Sequence, residues 1–192
     1  VEAASLLGKW SIKGIIDIHF TSAGEKIIDV PVVGDLQILE TINPLEVDVF
    51  LALGDNLSRL KTSIFVTSLG FSFVNLIHPQ SYLSRSASIG NGNYLGPFSC
   101  IGPKAVLGDH CIINSMANVE HEATVGNFAQ LAPNSLICGR TAIADGVFVG
   151  ANATIIENIS VSEGVIVGAG SVVIRNILSP NAKYAGTPAR LL

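Results

Sequence analysis

The chain has 192 residues, 48% of them apolar and only 14% charged, with a formal net charge of −4. That composition supports a substantial core in one large or two small domains, and with no basic run or Lys/Arg stripe it argues against a nucleic-acid partner. No stretch approaches the ~20 apolar residues of a membrane span or reads as a signal peptide, and the three cysteines (Cys100, Cys111 and Cys138) are odd in number without CxxC spacing, which disfavours a disulfide framework or zinc knuckle and fits a reducing cytoplasm.

Residues 1–76 read as strands alternating with helices. Val1–Leu7 is the end of a helix, Gly14–Ile18 a short buried strand, and Pro31–Gly34 a short extended piece. Leu36–Ile42 looks helical, Val47–Leu53 is an apolar strand running into Gly54-Asp55-Asn56, Ser58–Leu69 has helical spacing, and Phe73–Ile77 is a further strand. Such alternation predicts a parallel sheet with βαβ connections. His78-Pro79 marks a junction, because proline disfavours helix in the residue before it.

Beyond the junction the sequence is a repeat. Stepping by six from Leu83 to Val173 meets sixteen consecutive aliphatic residues without a slip. Two residues earlier stands, in most cases, a small residue, as at Ala87, Ser99, Ala105, Cys111 and Ala117, and the residue after is often glycine, as at Gly90, Gly96, Gly102 and Gly108. Side chains alternate along a strand, so the small residue and the aliphatic two later face the same way, and the glycine is expected to permit a tight corner. Short strands and corners in register make a parallel β-helix. An α-helix is excluded by the period and by the glycines, each of which would cost ~1 kcal/mol there.

One point breaks the monotony: Glu120-His121-Glu122 inside "INSMANVEHEATVG". His121 falls two residues after the ladder residue Val119, hence near the surface of a corner. An imidazole titrates near neutral pH and can move a proton there.

The hexads resemble those of left-handed β-helix acyltransferases. Around them, Asp17, "LGDN" (Leu53–Asn56) with Arg59, "LIHP" (Leu76–Pro79), "INS…EHEATVG" and "AGTPARLL" are similar in order to one branch of that family. It comprises sugar acetyltransferases with a small Rossmann-like N-terminal domain, of the UDP-4-amino-sugar N-acetyltransferase and sialic acid O-acetyltransferase type. The resemblance spans nearly the whole chain. It implies a mainly β fold, with a left-handed parallel β-helix of about five three-hexad coils in residues 77–178. A small α/β Rossmann-like, sugar-nucleotide-binding domain would occupy 1–76, and a C-terminal tail 179–192. Residues eighteen apart should stack.

The same resemblance implies an acetyl-CoA-dependent acetyltransferase, cytoplasmic and homotrimeric, needing no metal and acting on the amino group of a nucleotide-linked sugar. His121 would be the general base, Glu122 its orienting carboxylate, and the Gly139 N–H an oxyanion donor. Asn114 would lie near the acceptor sugar, Asp17 and Asn56 would line the nucleotide pocket, and Ala169 would join Gly139 in binding the co-substrate. Two departures stand out. Family members begin with a strand and a glycine-rich loop, whereas this chain opens on "VEAASLLGKW", resembling the helix after that loop, so the first domain is expected to lack a central strand. Gln130 stands where the family commonly has histidine, and it cannot take a proton.

Plainer roles are weighed beside these. Glu120 is expected to be a solvated charge, His78 a satisfied junction residue, His110 exposed and idle, His19 a loop residue, and Cys111 core; Asp17 and Asn56 could equally serve as turn or capping residues. Other functions on the same fold are zinc-dependent γ-type carbonic anhydrase, whose three convergent histidines are missing here, sugar O-acetylation, and a non-catalytic nucleotide-sugar binding module.

Overall fold

From Leu76 to Val173 the chain lays down a two-residue strand every six residues. The computed structural model, which describes residues 1–20 and 24–192, stacks these strands into three parallel sheets, the faces of a left-handed triangular prism. The first face starts at Tyr82–Leu83, the second at Ser88–Ile89 and the third at Leu76–Ile77. Register is eighteen residues throughout: Cys100 pairs with Asn118, Thr124 with Ala142, and Ile112 with Gln130.

The aliphatic ladder is the core. Leu95, Ile101, Ile113, Leu131 and Ile155 are fully buried, whereas Leu83 and Ile89, at the open end of the prism, are only half-covered. Each fully buried rung stabilises the coil by roughly 1.5–3 kcal/mol. The small residues two positions earlier, including Ala105, Cys111, Ala117 and Ala123, are buried at the corners as expected.

The corner chemistry differs from expectation. The left-handed backbone position is the third residue after each rung, occupied by Phe98, Lys104, His110, Met116, Glu122, Phe128, Asn134 and Arg140 with φ between 56 and 60. This conformation costs an L-residue roughly 1–2 kcal/mol. Inter-coil bonds oppose that cost, such as Glu122 N–H to Pro103 O (2.9 Å) and Arg140 N–H to His121 O (3.0 Å). The glycine directly after the rung serves close approach instead: a Cβ on Gly96 would lie 2.8 Å from the Ser115 nitrogen of the next coil.

Residues before Asn75 form a separate small core around Leu39, Leu51, Val66 and Phe71. Helix α1 (Glu2–Leu7) lies against the first strand of the third face. Ile15–Ile16 pairs in parallel with Val30–Gly34, which in turn pairs antiparallel with Lys26–Ile27. Asp48–Val49 pairs in parallel with Ser72–Phe73 across helix α2 (Asn56–Ser68), a βαβ unit. No strand pairing joins these two sheets among the described residues.

Several expected elements are shorter. The Gly14–Ile18 and Val47–Leu53 strands contract to two residues each, and Ile18 is exposed. Leu36–Thr41 is a 3-10 helix, with Asp35 Oδ1 accepting from the Gln37 N–H. The expected Phe73–Ile77 strand divides between two sheets. Val74 N–H still bonds Val49 O, but Asn75 joins the coil, its amide donating to Gly90 O (2.7 Å) and its Oδ1 accepting from Asn93 N–H (2.8 Å).

Candidate active site

His121 and Glu122 sit on the corner between the first and second faces, where Pro103, His121 and Gly139 stack in consecutive coils. The imidazole lies directly over Gly139: a Cβ there would be 2.6 Å from both Cε1 and Nε2 of His121. Only glycine leaves room for the ring. Nδ1 of His121 is 3.3 Å from Glu122 Oε2, and both side chains are about half-exposed. The same carboxylate oxygen is 3.6 Å from Arg140 Nη1. The hydrogen bond with His121 holds the Glu122 carboxyl below its ordinary value, and the charges of Lys104 and Arg140 add to this.

The polar backbone of this corner is open. Among the described residues neither the His121 nor the Gly139 N–H has an acceptor, and Pro103 has no N–H to give. On the second–third corner three successive equivalent groups are closed by a side-chain ladder. There Asn91 N–H donates to Asp109 Oδ1 (2.7 Å), Asp109 N–H to Asn127 Oδ1 (2.9 Å), and Asn127 N–H to Asp145 Oδ1 (2.7 Å). The first–second corner therefore offers a base-type imidazole, a carboxylate behind it, and an unpaired N–H on the coil above. That set can take a proton and stabilise a developing oxyanion.

The remaining expected site residues lie elsewhere. Asn114 and Ala169 are on the third–first corner, one face away from His121, and Gln130 points outward from the third face. Asn114 Oδ1 accepts from the Ser115 N–H at 2.8 Å, and Ala169 is exposed. Asp17 is half-buried in a turn, its Oδ1 accepting from the N–H of exposed His19. Both ends of the Asn56 amide are engaged by the protein: Nδ2 donates to Gly146 O (3.0 Å) and Oδ1 accepts from Arg59 Nη2 (2.9 Å).

Arg59 is the residue whose weight sequence reasoning missed. It is fully buried. Its five N–H groups meet five acceptors: His110 O, Leu53 O, Gly54 O, Asn56 Oδ1 and Phe128 O. It thereby clamps α2 to the second–third corner. The spacing from Asp55 to Arg59 marks it as a candidate; the carbonyls it meets come from 51 and 69 residues away and leave no local signal.

His110 is not exposed and idle. It is buried, edge-on to Phe73 (4.4 Å) and stacked on Phe128 (5.0 Å), with Nδ1 unpartnered. Burial lowers its pKa, the nearby Arg59 charge acts in the same direction, and Asp109 opposes them. His78 is half-buried and accepts the Gln80 N–H on Nδ1. Cys111 is core as expected, its thiol pushed up to about 12 by burial. Glu120 is half-buried rather than fully solvated.

Comparison with known proteins agrees with this fold. Residues 86–121 match the family model for bacterial transferase hexapeptide (six repeats). The acetyltransferase domain of PglB from Neisseria gonorrhoeae FA1090 is 30% identical, with a TM-score of 0.93 over 100% of this chain and 92% of that one. The same domain in complex with acetyl coenzyme A, also 30% identical, gives 0.90 over 100% and 91%. A histidine-to-alanine mutant of GDP-perosamine N-acetyl transferase from Caulobacter crescentus, in complex with CoA and GDP-perosamine, is 31% identical. Its TM-score is 0.93 over 100% of this chain and 89% of that one. An acyl-[acyl-carrier-protein]--UDP-N-acetylglucosamine O-acyltransferase from Mesorhizobium japonicum is 33% identical over 91 residues, 42% of this chain. The match spans about a third (31%) of that curated relative's length.

Proposed function

The chain belongs to the hexapeptide-repeat, left-handed β-helix family of sugar acetyltransferases, and from that premise we propose that it moves an acetyl group from acetyl-CoA to the amine of a nucleotide-linked sugar, with His121 as general base. The observation that carries this reading is the imidazole lying over Gly139 with Glu122 at its Nδ1.

Glu122 accepts from Nδ1–H, which fixes the tautomer with a free lone pair on Nε2. That nitrogen takes the proton from the sugar amine as the amine nitrogen attacks the thioester carbonyl. A C–N bond forms, and the negative charge that develops on the carbonyl oxygen is met by the Gly139 N–H. Collapse breaks the C–S bond, and the proton held on His121 passes to the departing thiolate. The Neisseria and Caulobacter proteins, solved with acetyl coenzyme A and with CoA plus GDP-perosamine, support both substrate classes.

Asn114, Gln130 and Ala169 can share a site with His121 only if another copy brings its third face and third–first corner to the first–second corner of this one. A cyclic homotrimer closes such head-to-tail contacts. Residues 1–76, with Asp17 beside their first strand, form the nucleotide-binding part in this reading.

The test is release of free thiol from acetyl-CoA across a panel of amino-sugar nucleotides, with hydroxyl analogues included because the Mesorhizobium relative is an O-acyltransferase. Turnover with an amino-sugar nucleotide alone is expected. Turnover with hydroxyl analogues alone would replace N- by O-acetylation, and none with any member would remove the enzymatic reading.

A further inference from the structure

Lys104, Glu122, Arg140 and Asn158 occupy the same left-handed position in four successive coils, with φ of 60, 59, 59 and 61. Identical backbone geometry sends all four side chains off the same edge of the His121 corner. Their bonding is unequal. Arg140 Nε donates to Asn158 Oδ1 at 3.1 Å, while its Nη1 reaches Glu122 Oε2 at 3.6 Å. Arg140 N–H also donates to His121 O at 3.0 Å, so its backbone is fixed to the coil that carries the histidine.

Glu122 by itself is poorly held. Its side chain is about half-exposed, and the carboxylate's one hydrogen bond among the described residues, to His121 Nδ1, is 3.3 Å long. An exposed carboxylate with a single long contact samples several rotamers, and an imidazole oriented only by it does likewise. A second contact on the same oxygen from a planar guanidinium, itself anchored at its other edge, narrows that freedom by a modest amount, as expected of a half-exposed pair 3.6 Å apart.

We propose that Arg140, anchored by Asn158, is a positioning residue that holds Glu122 against His121. This rests on the reading of His121 as base and assigns a role to two residues that no motif in the sequence marks. Lys104 is not assigned that role: of the two flanking side chains, Arg140 comes within ion-pair distance of the carboxylate and Lys104 does not.

The experiment is a double-mutant cycle on the full chain: Arg140→Gln, Glu122→Ala and the pair, with Asn158→Ala and Arg140→Lys alongside. Arg140→Gln is expected to lower kcat by about 3–10-fold while KM for either substrate stays within about two-fold, since only orientation of the base is lost. In the Glu122→Ala background the same change should do nothing further, because residues acting through one another are non-additive. Asn158→Ala should reproduce part of the loss. Arg140→Lys, which keeps the charge without the fork, should recover only part of the activity. Additive effects, or a rise in KM confined to one substrate, would make Arg140 a ligand-binding residue and overturn the proposal. Full activity of Arg140→Gln, or of Glu122→Ala, would overturn it as well. His121→Ala separates the two claims: if that variant is active, the base assignment fails whatever Arg140 does.

Discussion

Two corners of one prism are built from the same hexad and end up chemically opposite. On the second–third corner, Asp109, Asn127 and Asp145 each accept the backbone N–H eighteen residues earlier, which closes three successive N–H groups. On the first–second corner the same positions are Pro103, His121 and Gly139, and among the described residues the N–H groups of His121 and Gly139 have no acceptor. Open N–H groups beside a half-exposed imidazole are donors that a ligand can complete.

The largest expected effect lies on the closed corner. Arg59→Ala would leave five acceptors without their donor and a cavity between α2 and the coil. Each buried oxygen left unsatisfied costs about 1–3 kcal/mol, and chemical denaturation should show the residues before Asn75 unfolding ahead of the prism. On the open corner, Gly139→Ala drives a methyl into the His121 ring. The ring is half-exposed and can swing away, so melting should change little while kcat drops by ~10²-fold, as when a catalytic group is displaced. Equal losses in melting and turnover would make Gly139 a packing residue only.

Asn127→Ala sharpens the contrast from the other side. It removes the acceptor for Asp109 N–H and a donor to Asp145, a loss of about 1 kcal/mol per bond, read as a lower denaturation midpoint with unaltered kcat. The smallest effect is a pH dependence. Burial lowers the His110 pKa, so the unfolded chain binds its proton first. Stability is complete above the ordinary imidazole value of about 6.5 and falls as pH drops below it toward the folded value. His110→Phe should flatten the melting temperature between about pH 7 and pH 5, with the remaining decline appearing at lower pH as carboxylates protonate.

The coil was legible because its rule is local and repeated: one aliphatic every six residues sets register, core and stacking together, and Leu95 to Val173 follow it. His121 and Glu122 could be placed on a corner for the same reason. The glycine after the rung reads as the residue that permits the corner, whereas residues such as Glu122 and Arg140 take the left-handed position, because stacking bonds from the neighbouring coil outweigh local preference. His110 was misjudged for a related reason: its burial comes from Phe73, contributed by the segment before the coil. The first 74 residues have no repeat to carry the reading. The Lys26–Pro31 hairpin went unseen because Ile28 and Asp29, at φ 48 and 63, replace the Asn-Gly or Asp-Gly that signals such a turn. The Arg59 clamp joins segments far apart in sequence, which no local pattern encodes.

The most direct test of the open corner as the seat of chemistry is steady-state kinetics of His121→Ala beside its thermal melt. The side chain lies outside the aliphatic ladder and half in solvent, so the melt should match the wild type, while kcat falls by ~10²–10⁴-fold, the usual worth of a general base. A His121→Ala protein that turns over acetyl-CoA and sugar at the wild-type rate would contradict the account.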